Sequence, residues 1–157
     1  ALSIVGADRM ATSGYMAGKL AQERAIEEGG VPATIVRATQ FIEFLPGIAT
    51  MSEDQGRIVV PSALMQPVAA AEVAETLVDV ALDDHAPMRV EIAGPERLTM
   101  AAAVGRALDH DDPREIVVDS NATYSGAPVS SDELVPLGAA RTGTRTIEDV
   151  LRPSAGS

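Results

Sequence analysis

Tyr15 and Lys19 are the residues whose types and spacing most directly suggest chemistry. Lys19 is the only lysine among the 12 basic residues of the chain, and Tyr15 is one of 2 tyrosines. Residues four apart on a helix lie on one face, about one turn from each other. An ammonium group favours the phenolate and lowers the pKa of a nearby phenol, which can then exchange a proton with a carbonyl or alcohol oxygen. The spacing therefore predicts an acid–base pair, and the alternative is an ordinary solvated helix face.

A strand–helix–strand unit of about thirty residues must position this pair. The apolar run "LSIVG" (2–6) predicts a buried strand, residues 14–28 are good helix formers with Ser13 as N-cap, and "ATIVRAT" (33–39) predicts a second strand. Such units join parallel strands, so the loops after both strands lie at the carboxyl edge of the sheet, where open α/β sheets bind ligands. Ser3, on the first strand, could add a hydroxyl donor to the pair.

The rest of the chain predicts further elements of an α/β domain. The remaining expectations are a helix broken by Pro46-Gly47 at 41–50, strands at 57–61, 89–94 and 115–119, helices at 70–82 and 100–109, a loop over 120–146 and a helical turn at 146–152. In the helix at 70–82, the apolar face is predicted to comprise Val73, Ala74, Leu77, Val78 and Ala81. Its wet face is predicted to comprise Glu72, Glu75, Thr76 and Asp79.

Composition excludes several classes of function. The 157 residues are 46% hydrophobic and 22% charged, which is typical of a globular domain. A net charge of -11 argues against nucleic-acid and anionic-membrane surfaces, and the absence of cysteine excludes disulfides and thiolate metal sites. His85 and His110 lie in turn-forming sequences, so we expect no metal site. No apolar run reaches the roughly 20 residues of a membrane span, and a cytoplasmic location is expected.

Several segments in order resemble one enzyme family. "SGYMAGKLAQE" after "LSIVGADR", followed by "ATIVRATQFIEFL", resembles the short-chain dehydrogenase/reductase superfamily, and most closely its atypical, NmrA-like or NAD(P)H-binding branch. The resemblance continues through "QPVAAAEVAETLVDVAL" and "RVEIAGPERLTM" and so covers most of the chain. It implies an NAD(P)-dependent oxidoreductase that moves a hydride between nicotinamide and a carbonyl, quinone or alcohol substrate.

The resemblance also implies a fold and a division of the chain. The fold class is α/β, with a partial Rossmann-like parallel sheet that corresponds to the carboxyl-terminal half of a reductase and a small α+β substrate lobe. Residues 1–157 would form a single domain, in which residues 1–40 are the last βαβ unit with the catalytic helix. Residues 41–157 would form the substrate-side lobe and the closing elements.

Roles for individual residues follow from the resemblance. Tyr15 matches the general acid/base, Lys19 the residue that holds the nicotinamide ribose, and Ser3 the hydroxyl that orients the substrate carbonyl. The segment beside the nicotinamide matches Arg37, Ala38, Thr39 and Gln40. The residues expected on the substrate side are Phe41, Phe44 and Leu45. Apart from the resemblance, Tyr124 lies in the polar loop "NATYSGAPVSS", which either is an ordinary surface loop or lines the substrate pocket.

One part of the family pattern is missing. The sequence contains neither G-x-x-G-x-x-G nor G-x-G-x-x-G, the glycine-rich turns that bind the pyrophosphate of NADP or NAD. The resemblance then implies that the chain is the carboxyl half of a reductase, inactive alone, and we expect no NADPH binding in a titration. The strand at 2–6 would expose an apolar edge, so we expect the isolated chain either to be marginally stable or to self-associate. The alternatives are an NmrA-like sensor that binds a dinucleotide without catalysis, and an inactive fragment.

Overall fold

Strands and helices alternate along the chain, which the computed structural model describes over residues 1–152. The strands are β1 (Leu2–Ile4), β2 (Ile35–Ala38), β3 (Glu53–Asp54), β4 (Arg57–Val60), β5 (Leu64–Met65), β6 (Arg89–Ala93), β7 (Leu98–Thr99), β8 (Glu115–Val118), β9 (Thr123–Tyr124), β10 (Ala127–Pro128) and β11 (Arg141–Thr142). The helices are α1 (Gly14–Glu28), α2 (Leu45–Met51), α3 (Ala70–Leu82), α4 (Met100–Ala107) and α5 (Ile147–Leu151), with 3-10 turns at Ala7–Met10 and Ile42–Phe44.

A four-stranded parallel sheet organises the fold, with strand order β1-β2-β6-β11. Smaller sheets pair β3 with β4 and β4 with β8, β5 with β7, and β9 with β10. The fold is therefore α/β, and the predicted parallel pairing of the first two strands is confirmed. Within residues 1–152, no helix combines the length and the apolar character that crossing a membrane requires.

The predicted elements match the observed ones unevenly. The bounds of α1 and α3 agree with the prediction, and the broken helix becomes a 3-10 turn followed by α2, with Pro46 in its first turn. Thr99 caps α4 by accepting a hydrogen bond from the Ala102 amide at 3.2 Å. The prediction of a plain loop over 120–146 is wrong, because β9 and β10 form a hairpin there and β11 joins the main sheet.

One face of the main sheet is apolar and packs against α3. Val36, Ala38 and Ile92 on this face form a buried cluster with Val73 and Val80 of α3. The even-numbered residues of β2 all point to the same side because successive side chains of a strand alternate between faces. Burial of this cluster attaches α3 to the sheet by the hydrophobic effect.

The opposite face of the sheet is polar and packs against α1. Ser3 and Arg37 lie side by side in the register of β1 and β2, and both bind Glu23 of α1. The Ser3 hydroxyl donates to Glu23 at 2.5 Å, while Arg37 donates to Glu23 at 2.9 and 2.7 Å and to Asp8 at 3.0 Å. Only Met16 and Glu23 of α1 are buried, so this ion pair is a main attachment of the helix that carries Tyr15 and Lys19.

The predicted wet face of α3 is wrong in part. Glu72 and Thr76 are buried, and the predicted apolar face is also wrong in part, because Ala74, Val78 and Ala81 are exposed. Glu72 accepts hydrogen bonds from the Thr144 amide at 2.6 Å, the Thr144 hydroxyl at 3.0 Å and the Arg145 amide at 3.2 Å. A carboxylate that satisfies otherwise orphaned donors can be buried, and here it fixes the segment after β11 on the helix. A Cβ at Gly143 would overlap this carboxylate, so a larger residue there would have to displace the Glu72 side chain.

The strand β1 lies at the edge of the main sheet, with β2 as its only neighbour in the described chain. The Ala1 carbonyl and the Val5 amide bond to β2, so the backbone groups of Leu2 and Ile4 point to the open side. Phe44 is 52% exposed at the rim of the adjacent cavity described below. Unpaired apolar edges favour association with another chain.

We therefore predict that the chain self-associates in a concentration-dependent manner, as measured by light scattering after size exclusion. A Phe44→Lys variant should shift the population towards monomer because it places a charge at the apolar cavity that Leu2 and Ile4 of β1 also line. Val31→Lys is the matched control, since Val31 is 71% exposed in the loop after α1. A monodisperse monomer with a cooperative melt above about 60 °C, stable for a mesophile domain, would contradict the prediction.

Candidate functional site

A cavity of about 570 Å³ opens beside the carboxyl ends of β1 and β2. Its walls come from α1, the segment after β2, and the β9–β10 hairpin. The apolar lining consists chiefly of Leu2, Ile4, Met16, Phe41, Phe44 and Met51. The polar lining consists chiefly of Ser3, Tyr15, Lys19, Thr39, Gln40 and Tyr124. The cavity therefore occupies the sheet edge at which the sequence predicts ligand binding.

Tyr15 and Lys19 both line this cavity from the first two turns of α1. The Tyr15 side chain is 60% exposed, so its phenol is open to a ligand. The Lys19 ammonium donates to the Leu2 carbonyl at 3.1 Å and to Gln22 Oε1 at 3.1 Å. The Leu2 carbonyl belongs to the open edge of β1, so Lys19 fastens the helix to that edge. Of the described residues that line the cavity, Lys19 alone carries a charge.

Ser3 reaches the cavity wall, but its hydroxyl is engaged elsewhere. The residue is 3% exposed, and its hydroxyl proton is donated to Glu23. Burial raises the pKa of Glu23, but the hydrogen bonds from Arg37 and Ser3 outweigh it and leave the pKa below its ordinary value of 4.5. Glu23 is therefore a carboxylate at neutral pH, and it accepts the hydrogen bond that the Ser3 hydroxyl donates. In this arrangement Ser3 has no second proton to donate to a substrate.

The structure does not bring Arg37 or Leu45 to the cavity. The Arg37 guanidinium lies under α1, where its hydrogen bonds to Glu23, which outweigh burial, raise its pKa above the ordinary value. Leu45 is fully buried in the main core. Both positions follow from strand and helix periodicity, which turns these side chains away from the cavity that their neighbours line.

The segment after β2 forms the floor of the cavity through Ala38, Thr39 and Gln40. The Thr39 hydroxyl donates to the Gln66 carbonyl at 2.6 Å, and the Gln40 carbonyl accepts from the Val68 amide at 2.9 Å. The Gln40 side chain differs, because both polar atoms of its amide are buried and have no hydrogen-bond partner in the described part of the chain. Such an unsatisfied amide is costly in a core, and it lies here in the segment that lines the cavity.

Two phenylalanines and the hairpin complete the walls. Phe41 and Phe44 both line the cavity, as predicted for the substrate side. The Phe44 ring packs on Gly47, where a Cβ would come within 3.2 Å of the ring. Because Gly47 has no side chain, the Phe44 ring can lie against its backbone, and this contact orients the ring.

Tyr124 enters the cavity from the β9–β10 hairpin. The turn places Ser125 and Gly126 at positive φ (49° and 78°), the conformation that two-residue hairpins favour. The Ser13 hydroxyl donates to the Ser125 carbonyl at 2.6 Å, which fixes the hairpin to the start of α1. Sequence reasoning missed this hairpin, although the Ser-Gly pair between two short β-prone segments is a recognised turn sequence. Ser13 was expected as an N-cap, but no side-chain capping bond is present at that position.

Burial, with a contribution from the nearby Tyr15 phenol, raises the pKa of Tyr124 to about 12. Its hydroxyl therefore keeps its proton across the neutral range. The cavity thus presents two phenols of different character: that of Tyr15 is exposed, one helix turn from Lys19, and that of Tyr124 is largely buried in the apolar wall.

Comparison of the chain with protein-family models gives no match, and neither does a search of curated proteins. The case for a function therefore depends on the residues of the cavity and on the motif pattern of the sequence.

Proposed function

We propose that this protein provides the catalytic face of an NAD(P)-dependent oxidoreductase of the short-chain dehydrogenase/reductase type. The observation that carries the proposal is the placement of Tyr15 and Lys19 at one cavity, beside the carboxyl ends of two parallel strands. If Tyr15 and Lys19 served only as a structural pair or as a solvated helix face, no cavity of about 570 Å³ would be needed beside them. The parallel sheet supports the finer description of a partial Rossmann-like sheet with a small substrate lobe.

The residues of the cavity fit the nicotinamide part of a cofactor better than its adenosine part. Lys19 presents an ammonium that can donate to ribose hydroxyls, and Gln40 has an amide without a partner in the described residues. The pyrophosphate and adenosine need a glycine-rich turn, and the sequence does not contain one. The fit therefore extends to the nicotinamide and its ribose, for NAD and NADP alike.

Tyr15 handles the proton in the proposed reaction. When bound, a reduced nicotinamide would supply the hydride for the carbonyl carbon of the substrate. Tyr15 donates its hydroxyl proton to the carbonyl oxygen, so the carbonyl becomes an alcohol and the phenol becomes a phenolate that solvent reprotonates. Lys19 holds positive charge one helix turn away, which stabilises the phenolate in that step. In the reverse direction, Tyr15 takes the proton from an alcohol.

The test uses reduced nicotinamide mononucleotide at millimolar concentration, because it lacks the adenosine for which the chain has no glycine-rich turn. We expect no activity of the chain with NADPH, but with the mononucleotide the wild-type protein should reduce members of a panel of aldehydes, ketones and quinones faster than the buffer background. Tyr15→Phe should lower this rate by about 100-fold, the lower range for loss of a general acid. Binding of the mononucleotide, measured by amide shifts in NMR spectra, should change by less than about twofold in the variant.

Three outcomes separate the candidate functions. Equal rates in wild type and Tyr15→Phe would reject the role of Tyr15. Binding of the mononucleotide without turnover of any substrate would instead favour a sensor that reads the cofactor. Absence of shift changes at Thr39, Gln40 and Lys19 would reject a nicotinamide site in this cavity.

A further inference from the structure

A carbonyl reductase site needs a second donor that holds the substrate oxygen in front of the proton donor. Ser3 is the residue that the sequence predicts for this task, but its hydroxyl already donates a hydrogen bond to Glu23 Oε1 at 2.5 Å. Removing Ser3 from that bond would leave one buried oxygen of Glu23 with one donor fewer, which is unfavourable. A donor other than Ser3 at the cavity is therefore needed for the hydrogen bond.

Tyr124 is a free and positioned donor on the same cavity. Its hydroxyl makes no hydrogen bond with any residue in the described range 1–152, whereas its ring packs against the main core. The hairpin that carries it is fixed by Ser13, two residues before Tyr15. The two phenols are therefore held by the same short stretch of backbone. Since the pKa of Tyr124 is about 12, this phenol remains a donor while Tyr15 exchanges its proton.

The charge of the cavity indicates what kind of substrate it takes. Lys19 is the sole charged group on the described lining, and its ammonium already binds the Leu2 carbonyl and Gln22. The surrounding wall is apolar and carries the rings of Phe41 and Phe44. The proposed function gives the remaining N–H of Lys19 to the nicotinamide ribose, so a carboxylate or phosphate substrate would find no second cation on this lining. A flat apolar compound, in contrast, can pack on the two rings.

We infer that the cavity binds an uncharged, flat carbonyl compound, and that Tyr124 donates the hydrogen bond that holds its oxygen in front of Tyr15. This inference rests on the proposed function for the reaction, but it concerns the binding of the substrate alone. The hydrogen bond from Tyr124 polarises the carbonyl and draws charge onto its oxygen as the hydride arrives at carbon. The proton that completes the alcohol comes from Tyr15, and Tyr124 keeps its own.

The experiment follows acetophenone, labelled with ¹³C at the carbonyl, as it binds to the 157-residue chain without any nucleotide. In the wild type, the carbonyl resonance should move downfield on binding because the oxygen accepts a hydrogen bond. Tyr124→Phe removes only the hydroxyl and should abolish most of this shift and raise the Kd about fivefold. α-Methylstyrene, which carries CH₂ in place of the carbonyl oxygen, should bind the wild type and Tyr124→Phe equally, because no hydrogen bond is involved.

Each alternative gives a distinct result. A shift that survives in Tyr124→Phe and disappears in Ser3→Ala would assign the donor to Ser3 and overturn the inference. Benzoate binding more tightly than acetophenone would overturn the assignment of an uncharged ligand, and absence of acetophenone binding to the wild type would overturn the inference as a whole. Because this binding experiment contains no hydride donor, it tests the role of Tyr124 even if the mononucleotide assay shows no turnover. Conversely, turnover that is unaffected in Tyr124→Phe would overturn this inference and leave the proposed function standing.

Discussion

Replacement of Arg37 by methionine should lower the free energy of unfolding by about 3–5 kcal/mol, measured by urea denaturation at pH 7. The Arg37 side chain is 8% exposed and that of Glu23 is 3% exposed, and two hydrogen bonds join them. Methionine approximates the length and volume of the arginine stem but leaves the Glu23 carboxylate buried with only Ser3 and the more distant Arg89 nearby. The cost comes chiefly from that uncompensated charge.

Arg141→Met is the matched control. Arg141 also pairs with a carboxylate, Asp79, at 3.0 Å, but the two side chains are 43% and 66% exposed. Water screens such a pair, so the control should lose less than about 1 kcal/mol. Equal losses in the two variants would show that burial of the Arg37 pair has no energetic consequence.

The pH dependence of this difference identifies Glu23 as the responsible group. The folded-state pKa of Glu23 lies below its ordinary value of 4.5, so its pairing stabilises the fold above that value. The contribution is lost as the pH falls through the folded-state pKa, because the protonated carboxyl no longer needs a cation. The wild type and Arg37→Met should therefore approach each other in stability below pH 4.5. A difference that is constant down to acidic pH would mean that Arg37 acts through packing alone.

The same network connects stability to the site. Glu23 lies one helix turn after Lys19 and two turns after Tyr15, on the helix that the Arg37 pair holds against the sheet. Few apolar residues of α1 are buried, so besides the Arg37 pair the helix is held chiefly by Met16 in the core and by the hydrogen bonds of Ser13 and Lys19. Loss of Arg37 should therefore disturb the positions of Tyr15 and Lys19 as well as the global stability.

The sequence predicts those parts of the molecule that depend on local patterns. The bounds of α1 follow from a run of helix formers that ends at Gly29-Gly30, and those of α3 from a similar run after a short loop. The cavity at the carboxyl edge follows from the parallel βαβ rule, which needs only the order of elements. The same local information places Tyr15 and Lys19 on one helix face.

The rest depends on partners far away in the chain. The sequence pattern places Glu72 on the solvent-facing side of α3. Its hydrogen-bond donors, Thr144 and Arg145, lie 72 and 73 residues further along the chain, so no local pattern predicts them. The strand β11 has only two residues, which is too short for a recognisable strand pattern in the sequence. It is a strand because it pairs with β6. Ser3 reads as a free hydroxyl for the same reason, since Glu23 reaches it from two helix turns beyond Tyr15. Hydrophobic periodicity alone cannot predict that a charged side chain is buried, because burial of a charge depends on a partner that can be distant in sequence.

Substitution of Gly94 by alanine should destabilise the protein by about 3 kcal/mol, because the added methyl group meets backbone rather than a movable side chain. A Cβ at Gly94 would overlap the Pro67 carbonyl and approach the Val68 Cα at 3.3 Å. The Gly94 amide donates to the Gln66 carbonyl at 3.0 Å, and Gln66 Nε2 donates to the Gly94 carbonyl at 2.8 Å. Backbone movement at this crossing would break both bonds.

The effect should extend to the floor of the cavity. The Val68 amide binds the Gln40 carbonyl at 2.9 Å, so displacement of the segment around Pro67 moves Gln40 directly. Gly18→Ala is the matched control, because a Cβ at Gly18 meets nothing within 4 Å on the exposed side of α1. The control should gain about 0.5–1 kcal/mol from the lower backbone entropy of the unfolded state. Amide shifts at Gln40 that stay unchanged in Gly94→Ala, together with an unchanged melting temperature, would show that β6 and this segment separate without cost.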